Sequence, residues 1–260
     1  LLPVIELLTA QEKPKIPRCC RALILAPTRE LAQQLFDQAR KFASETGLHV
    51  VACYGQIASR ENKAKLQNGC DIVVGCIGRL HDLIFSNEIN LSRMMFLIID
   101  EADRMLEEKK DPKVHELLKY QYMPSKSERQ TLMFSATFDD TFKRLAMEHM
   151  ENPLELRTED IINKRITLEF YKMQGVSQKQ DALLKMLLGE KKIEDDGGDR
   201  IPKTLIFVNT KGDCDLLAMC LNESELNACV LHGDYAQDLR HTETEKFRSG
   251  ESRVLIGTDV

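Results

Sequence analysis

Asp100, Glu101 and Asp103 crowd three carboxylates into four residues, directly behind the apolar run MMFLII at 94–99. Acidic residues leaving a buried strand are how many nucleotide hydrolases hold Mg²⁺, which takes hard oxygen ligands and keeps several of its waters. A neighbouring Glu can then orient or deprotonate an attacking water. The same run also suits the first turn of a helix, where the macrodipole favours Asp and Glu. Residue type alone leaves both readings open.

Other polar residues stand where apolar runs stop: Thr28 after ALILA, Ser135 and Thr137 after QTLMF, and Asn209, Gly233 and Thr258 after three later runs. In open parallel sheets, ligands bind at the carboxyl ends of strands. Pro27-Thr28-Arg29-Glu30 reads first as a helix start, with Thr28 as N-cap and Glu30 in the first turn. Free N–H groups at such a start, with the charge of Arg29, equally suit a phosphate backbone. Ser135 and Thr137 could instead satisfy local backbone. Gly233 could simply close a strand, and Arg240 could be a solvated helix charge.

The elements that must carry these residues alternate. Strand-length apolar runs (ALILA, HVVACY, CDIVVGC, MMFLIID, QTLMFSA) are separated by amphipathic stretches such as RELAQQLFDQARKFA, SRENKAKLQN and DDTFKRLAMEHM. Such alternation implies a parallel sheet covered on both faces. The pattern pauses around residues 151–165 and restarts with a strand-like ITLEFYKM and the helical VSQKQDALLKMLLGEKK. An acidic loop, IEDDGGDRIP, follows, and then KTLIFVN, NACVLHG and RVLIGTDV complete a second α/β unit. A length of 260 residues exceeds what one core usually organises, so two domains are expected.

Composition narrows the function classes. Hydrophobic residues at 43% and charged residues at 30% are ordinary for a folded chain. A net charge of −5 argues against an indiscriminate polyanion binder, though it leaves room for a local basic track. The eight cysteines form no C-x-x-C pair, which favours buried thiols in a reducing compartment over disulfides or zinc. No apolar run reaches membrane-spanning length, and LLPVIELLTA, with Glu6 and no basic start, makes a poor signal peptide. A soluble, intracellular chain is expected.

Taken in order, PTRELA (27–32), GRL (78–80), the Asp-Glu-Ala-Asp run, SAT (135–137), LIFVNTK (205–211), HGD (232–234), Gln237-x-x-Arg240 and TDV (258–260) resemble the DEAD-box ATP-dependent RNA helicases of superfamily 2. The resemblance covers essentially the whole chain, and RQTLMFSATF and HGDYAQDLR look closest to the Vasa-like subgroup. It implies two RecA-like α/β domains of the P-loop NTPase fold, each a parallel sheet with helices on both faces: residues 1–158, a linker at 159–165, and 166–260. It implies ATP and Mg²⁺ as cofactors, with Asp100 holding Mg²⁺ through water and Glu101 activating the hydrolytic water. Asp103 would bond the hydroxyls of Ser135 and Thr137, which would connect nucleotide state to RNA separation. Pro27, Thr28, Arg29, Glu30, Gly55, Gly78 and Arg79 would contact RNA in the first domain, and Thr210, Gly233, Asp234, Gln237, Arg240 and Thr258 in the second. The implied function is ATP hydrolysis coupled to RNA duplex separation or RNA–protein remodelling. RNA and ATP are the implied partners, no membrane is involved, and the location is cytoplasmic or nuclear, including RNA granules. The alternative is a catalytically silent RNA-binding clamp of the same fold.

The pattern has departures. Gly55-Gln56 stands for the usual Gly-Gly, and Cys76-Ile77-Gly78-Arg79 for Thr-Pro-Gly-Arg, which removes a hydroxyl and a fixed φ from one RNA contact. None of the thirteen glycines precedes a lysine, so no G-x-x-x-x-G-K-[ST] phosphate loop occurs. By the resemblance that loop lies just before a segment like LLPVIELL, and an arginine-rich motif lies beyond Val260. These residues are therefore expected to be a fragment, with both domains incomplete, that alone neither hydrolyses ATP nor unwinds RNA.

Overall fold

A computed structural model describes residues 1–55, 64–67, 69–107, 112–157, 166–189, 192–193 and 199–258. The chain divides into two compact units, Leu1–Arg157 and Thr158–Val260. The expected linker at 159–165 lies outside the described residues, as does most of the helix expected over 59–68.

The first unit is a five-stranded parallel sheet in the order β2-β3-β1-β4-β5, with β1 (Ala22–Ala26) at its centre. Its neighbours are β3 (Ile72–Cys76) and β4 (Phe96–Ile99), with β2 (Val50–Cys53) and β5 (Gln130–Met133) at the edges. Because strand side chains alternate between faces, the near-continuous apolar runs feed two cores. Leu23, Leu25, Val73, Leu97 and Ile99 pack with α3 (Ile77–Phe85), α5 (Pro112–Leu118) and α6 (Asp140–His149). Ala22, Ile24, Ile72, Val74, Phe96 and Ile98 pack with α1 (Leu2–Thr9) and α2 (Arg29–Phe42). A short α4 (Ala102–Met105) follows β4.

The amino-terminal edge of this sheet is tied by a buried ion pair. Arg21, 2% exposed, donates from Nε (3.0 Å) and Nη2 (2.6 Å) to Asp71 Oδ1, and from Nη1 to the Leu8 carbonyl of α1 at 2.9 Å. Asp71 Oδ2 accepts from the His49 N–H at 2.7 Å and pairs with Lys13 Nζ at 2.9 Å. Burial pushes the Asp71 carboxyl up, but the His49 N–H, Lys13 and Arg21 outweigh it and hold the group below its ordinary range.

The second unit is a smaller parallel sheet, β8 (Thr204–Val208), β10 (Val254–Thr258) and β9 (Ala228–Leu231), in that order. On one face α7 (Val176–Gly189) and α8 (Lys211–Glu223) cover Ile206, Val208, Ala228, Val230, Val254 and Ile256. Helix α9 (Gln237–Ser249) packs against β9 and β10, and Leu205 and Phe207 stay 56% and 71% exposed. The acidic loop is flanked by a two-residue antiparallel ladder, β6 (Lys192–Ile193) with β7 (Asp199–Arg200). One expectation is corrected: residues 166–173 form no strand. None of the described strands lies alongside to pair with them, and Phe170 is left 90% exposed.

Two stability predictions follow from buried polar groups. Asp71→Ala strands the Arg21 guanidinium in the interior and should lower unfolding free energy by about 3–5 kcal/mol in denaturant titration; a loss under about 1 kcal/mol would show the pair to be peripheral. His149 is buried at the end of α6, with Nε2 lacking a hydrogen-bond partner. Burial pushes its pKa below the ordinary 6.5, more strongly than Glu148 raises it, and His115, Arg129 and Lys119 add to the lowering. The unfolded chain therefore takes up this proton first. The contribution of neutral His149 is complete above pH 6.5 and is eroded as pH falls from there through the lower folded value. Melting curves across that range should show a pH slope that His149→Leu reduces.

Candidate functional site

Every strand of the first sheet runs the same way, so the polar residues that end them share one edge. Reading across it, Gly55 follows β2, Gly78 and Arg79 follow β3, Thr28 and Arg29 follow β1, Asp100 and Glu101 follow β4, and Ser135 and Thr137 follow β5. Thr28 is extended and caps α2, its hydroxyl oxygen accepting from the Leu31 N–H at 3.3 Å. Pro27 precedes the cap, and Glu30 stands in the first turn of α2. Gly55 has φ +59, and a Cβ there would lie 3.2 Å from Cζ of Arg29. The Arg29 guanidinium thus lies against the glycine backbone, where a side chain would displace it. Gly78 and Arg79 occupy the first turn of α3, whose N-cap Cys76 makes no side-chain capping bond. Burial pushes the Cys76 thiol up to about 11 despite the opposing charge of Arg29. Arg79 Nε is buried with no hydrogen-bond partner among the described residues.

On the other side of β1, the Asp100 N–H donates to the Leu25 carbonyl at 3.0 Å, which ties the end of β4 to the centre of the sheet. Asp100 Oδ1 accepts from the Glu101 N–H at 3.0 Å. Glu101 is left-handed (φ 46, ψ 50), a conformation that costs a non-glycine residue about 1 kcal/mol or more. It turns the chain from β4 into α4, and its carboxylate stands 3.8 Å from Arg104. The Ala102 N–H donates to the Phe134 carbonyl at 2.8 Å, joining this corner to the end of β5.

Asp103 Oδ2 accepts from the Thr137 hydroxyl and, at 3.3 Å, from its N–H. The Ser135 hydroxyl donates instead to the Thr137 carbonyl at 2.6 Å. Burial raises the Asp103 carboxyl, but the Thr137 hydroxyl, the Arg104 N–H and the Thr137 N–H outweigh it, and the net position is below the ordinary range. Among the described residues no three His, Cys, Asp or Glu side chains converge as a metal cage.

In the second unit Thr210 caps α8, accepting from the Asp213 N–H at 3.1 Å and donating to Asp213 Oδ2 at 2.7 Å. Lys211 pairs with Asp234 and passes over Gly233, 3.9 Å from where a Cβ would stand. The Lys211 contact holds the Asp234 carboxyl low. Gln237 opens α9 and accepts from Arg240 Nη1 at 3.5 Å, and Thr258 closes β10 opposite Val208. Sequence reasoning does not single out Lys211, Asp215 or Tyr235. The available signal is the i,i+4 spacing of Lys211 and Asp215, which puts both on one face of α8.

Comparison with known proteins follows the same division. Residues 1–145 match the family model for the DEAD/DEAH box helicase, and residues 178–260 match that for the helicase conserved C-terminal domain. Similar curated proteins include the probable ATP-dependent RNA helicase ddx3 of Dictyostelium discoideum, 37% identical over 95% of this chain and 34% of that protein. DEAD-box ATP-dependent RNA helicase 52A of Oryza sativa subsp. japonica is 36% identical over 92% of this chain and 40% of its own length. ATP-dependent RNA helicase glh-2 of Caenorhabditis elegans is 35% identical over 98% and 26%. The chain thus spans well under half the length of these relatives. Among solved structures, S. cerevisiae Dbp5 bound to RNA and ADP BeF3 is similar with a TM-score of 0.77 and 25% identity, over 96% of this chain and 60% of that one.

The threonine caps are testable apart from any ligand. Thr210→Ala should destabilise the second unit by about 1 kcal/mol, with Thr210→Ser retaining most of the wild-type value in denaturant titration. Equal stability of all three chains would show that the cap contributes nothing.

Proposed function

This chain belongs to the DEAD-box family of ATP-dependent RNA helicases, and from that premise we propose that it serves to couple ATP hydrolysis to the separation of RNA duplexes or the remodelling of RNA–protein complexes. The observation that carries the reading is the sharing of one sheet edge. Asp100, Glu101 and the Asp103–Thr137 bond lie on one side of β1, while Gly55, Gly78 and Arg79 lie on the other, with Thr28 and Arg29 between them.

On this reading RNA is held by its backbone. The Thr28 hydroxyl is committed to capping, so Arg29 at the start of α2 is the group a phosphate would meet. Pro27 and Glu30 set that helix start, and Gly55, Gly78 and Arg79 extend the track. In the second unit Thr210, Gly233, Asp234, Gln237, Arg240 and Thr258 would contribute RNA contacts of their own.

ATP is the nucleotide this family uses. The donor set suits Mg²⁺ held mainly by nucleotide phosphates and water, because Asp100 offers one oxygen that no other described protein group engages and no cage of protein ligands surrounds it. When bound, the ion would neutralise charge on the phosphates. Asp100 would hold one of its waters, and Glu101, exposed on a strained turn, would orient and deprotonate the attacking water. Asp103, through Thr137 and with Ser135 beside it, would connect the end of β4 to the end of β5, so that a shift at the carboxylates is felt at the next strand. Free thiols at all eight cysteines support a cytoplasmic or nuclear setting, RNA granules included.

The experiment is Mg²⁺-dependent phosphate release with and without RNA, in a longer chain that also carries a glycine-lysine phosphate loop. Glu101→Gln should lower turnover by about 100-fold or more while ATP binding survives. Wild-type rates in that variant would remove Glu101 from the mechanism, and RNA binding with no turnover in the unsubstituted longer chain would favour the silent clamp. The 260 residues alone, without a phosphate loop, should release none.

A further inference from the structure

The turn that follows β9 is held from α8 by a single carboxylate. Asp215 Oδ1 stands 3.2 Å from His232 Nε2 and 3.2 Å from the Tyr235 hydroxyl. An ionised carboxylate can only accept, so both partners donate, and His232 carries its proton on Nε2. The bare Nδ1 then lies buried without a hydrogen-bond partner, on a side chain only 3% exposed. The two rings pack 4.2 Å apart, and the Tyr235 N–H closes the turn on the His232 carbonyl at 3.2 Å. Gly233 and Asp234 lie between the rings in sequence, and Lys211 pins Asp234 from the same helix. Asp215 and Lys211, one helical turn apart, therefore hold this turn at two points.

We infer that Asp215 is a positioning residue for RNA binding, holding the Gly233–Asp234 turn through His232 and Tyr235 in the geometry that meets the RNA backbone. The inference rests on the RNA reading above. As an anion Asp215 cannot itself attract a phosphate, so its contribution is indirect. A turn already ordered binds without the entropy cost of being ordered by its ligand.

Two measurements on the full chain test this: affinity for a fluorescently labelled single-stranded RNA, and amide hydrogen exchange at Gly233 and Asp234. Asp215→Ala should weaken binding about five- to tenfold, the loss expected of one or two positioning hydrogen bonds, and should speed exchange at both amides. Asp215→Asn keeps an acceptor and should restore most of the affinity. Tyr235→Phe keeps the ring and should give an intermediate loss. Asp215→Ala leaves the buried His232 Nε2–H without its acceptor and should melt modestly lower than the wild type, while Asp215→Asn and Tyr235→Phe should melt close to it. A wild type that binds RNA, with variants that bind equally well, would overturn the positioning role alone. Unchanged exchange in Asp215→Ala would overturn it even if affinity fell. A wild type that binds no RNA would overturn the RNA reading and the role built on it, while the exchange data would still decide whether Asp215 holds the turn.

Discussion

Asp71 carries a charge into the interior of the first unit, and such a group is tolerable only where its lone pairs are matched. The groups that match it come from three other parts of the chain, Arg21 before β1, the His49 N–H before β2 and Lys13 after α1, while Asp71 itself stands at the start of β3. Satisfying one carboxylate therefore lines up three strand starts and the end of α1. The register follows, with Ala22 opposite both Ile72 and Phe96, and Val50 opposite Ile72. A one-residue slip would strand the charge and turn alternate side chains to the wrong face. Strands that start together and run four or five residues also end together, which is why the polar residues share an edge at the opposite end.

The three carboxylates on that edge are not equivalent. Asp103 is committed to Thr137, and its depressed pKa records that commitment. Among the described residues Asp100 accepts only from the next peptide, and Glu101 is itself the left-handed residue at the corner. One acid ties two strand ends together, while the side-chain bonds of the other two, among the described residues, stay within their own turn. The paired threonine caps divide the labour similarly: Thr28 and Thr210 spend their side chains on their own helices, while the next residues reach across to other loops, Arg29 to the Gly55 backbone and Lys211 to Asp234.

Most of the strands and helices were legible because they rest on local information. Apolar runs of strand length, helical spacing in the polar stretches and the Thr28 N-cap of α2 do not depend on distant residues. The strand-like pattern of 166–173 is the instructive failure. Alternation makes a segment able to pair, but a strand exists only where a neighbour supplies the hydrogen bonds. The same limit explains Cys76, which stands at an N-cap without a capping bond: the pattern shows a missing hydroxyl but not how the helix start does without it.

The sequence by itself determined which polar residues follow the strands and which family the chain resembles, because spacing along the chain encodes both. Tertiary structure alone decided the order β2-β3-β1-β4-β5, and with it that Gly55 meets Arg29 across 26 positions and that Asp103 meets Thr137 across 34. It also decided that Asp215 joins His232 to Tyr235, and that Arg21 and Asp71 share the interior. Each of these is a pairing between distant residues, set by which strand lies beside which and by the need of buried polar groups to find partners.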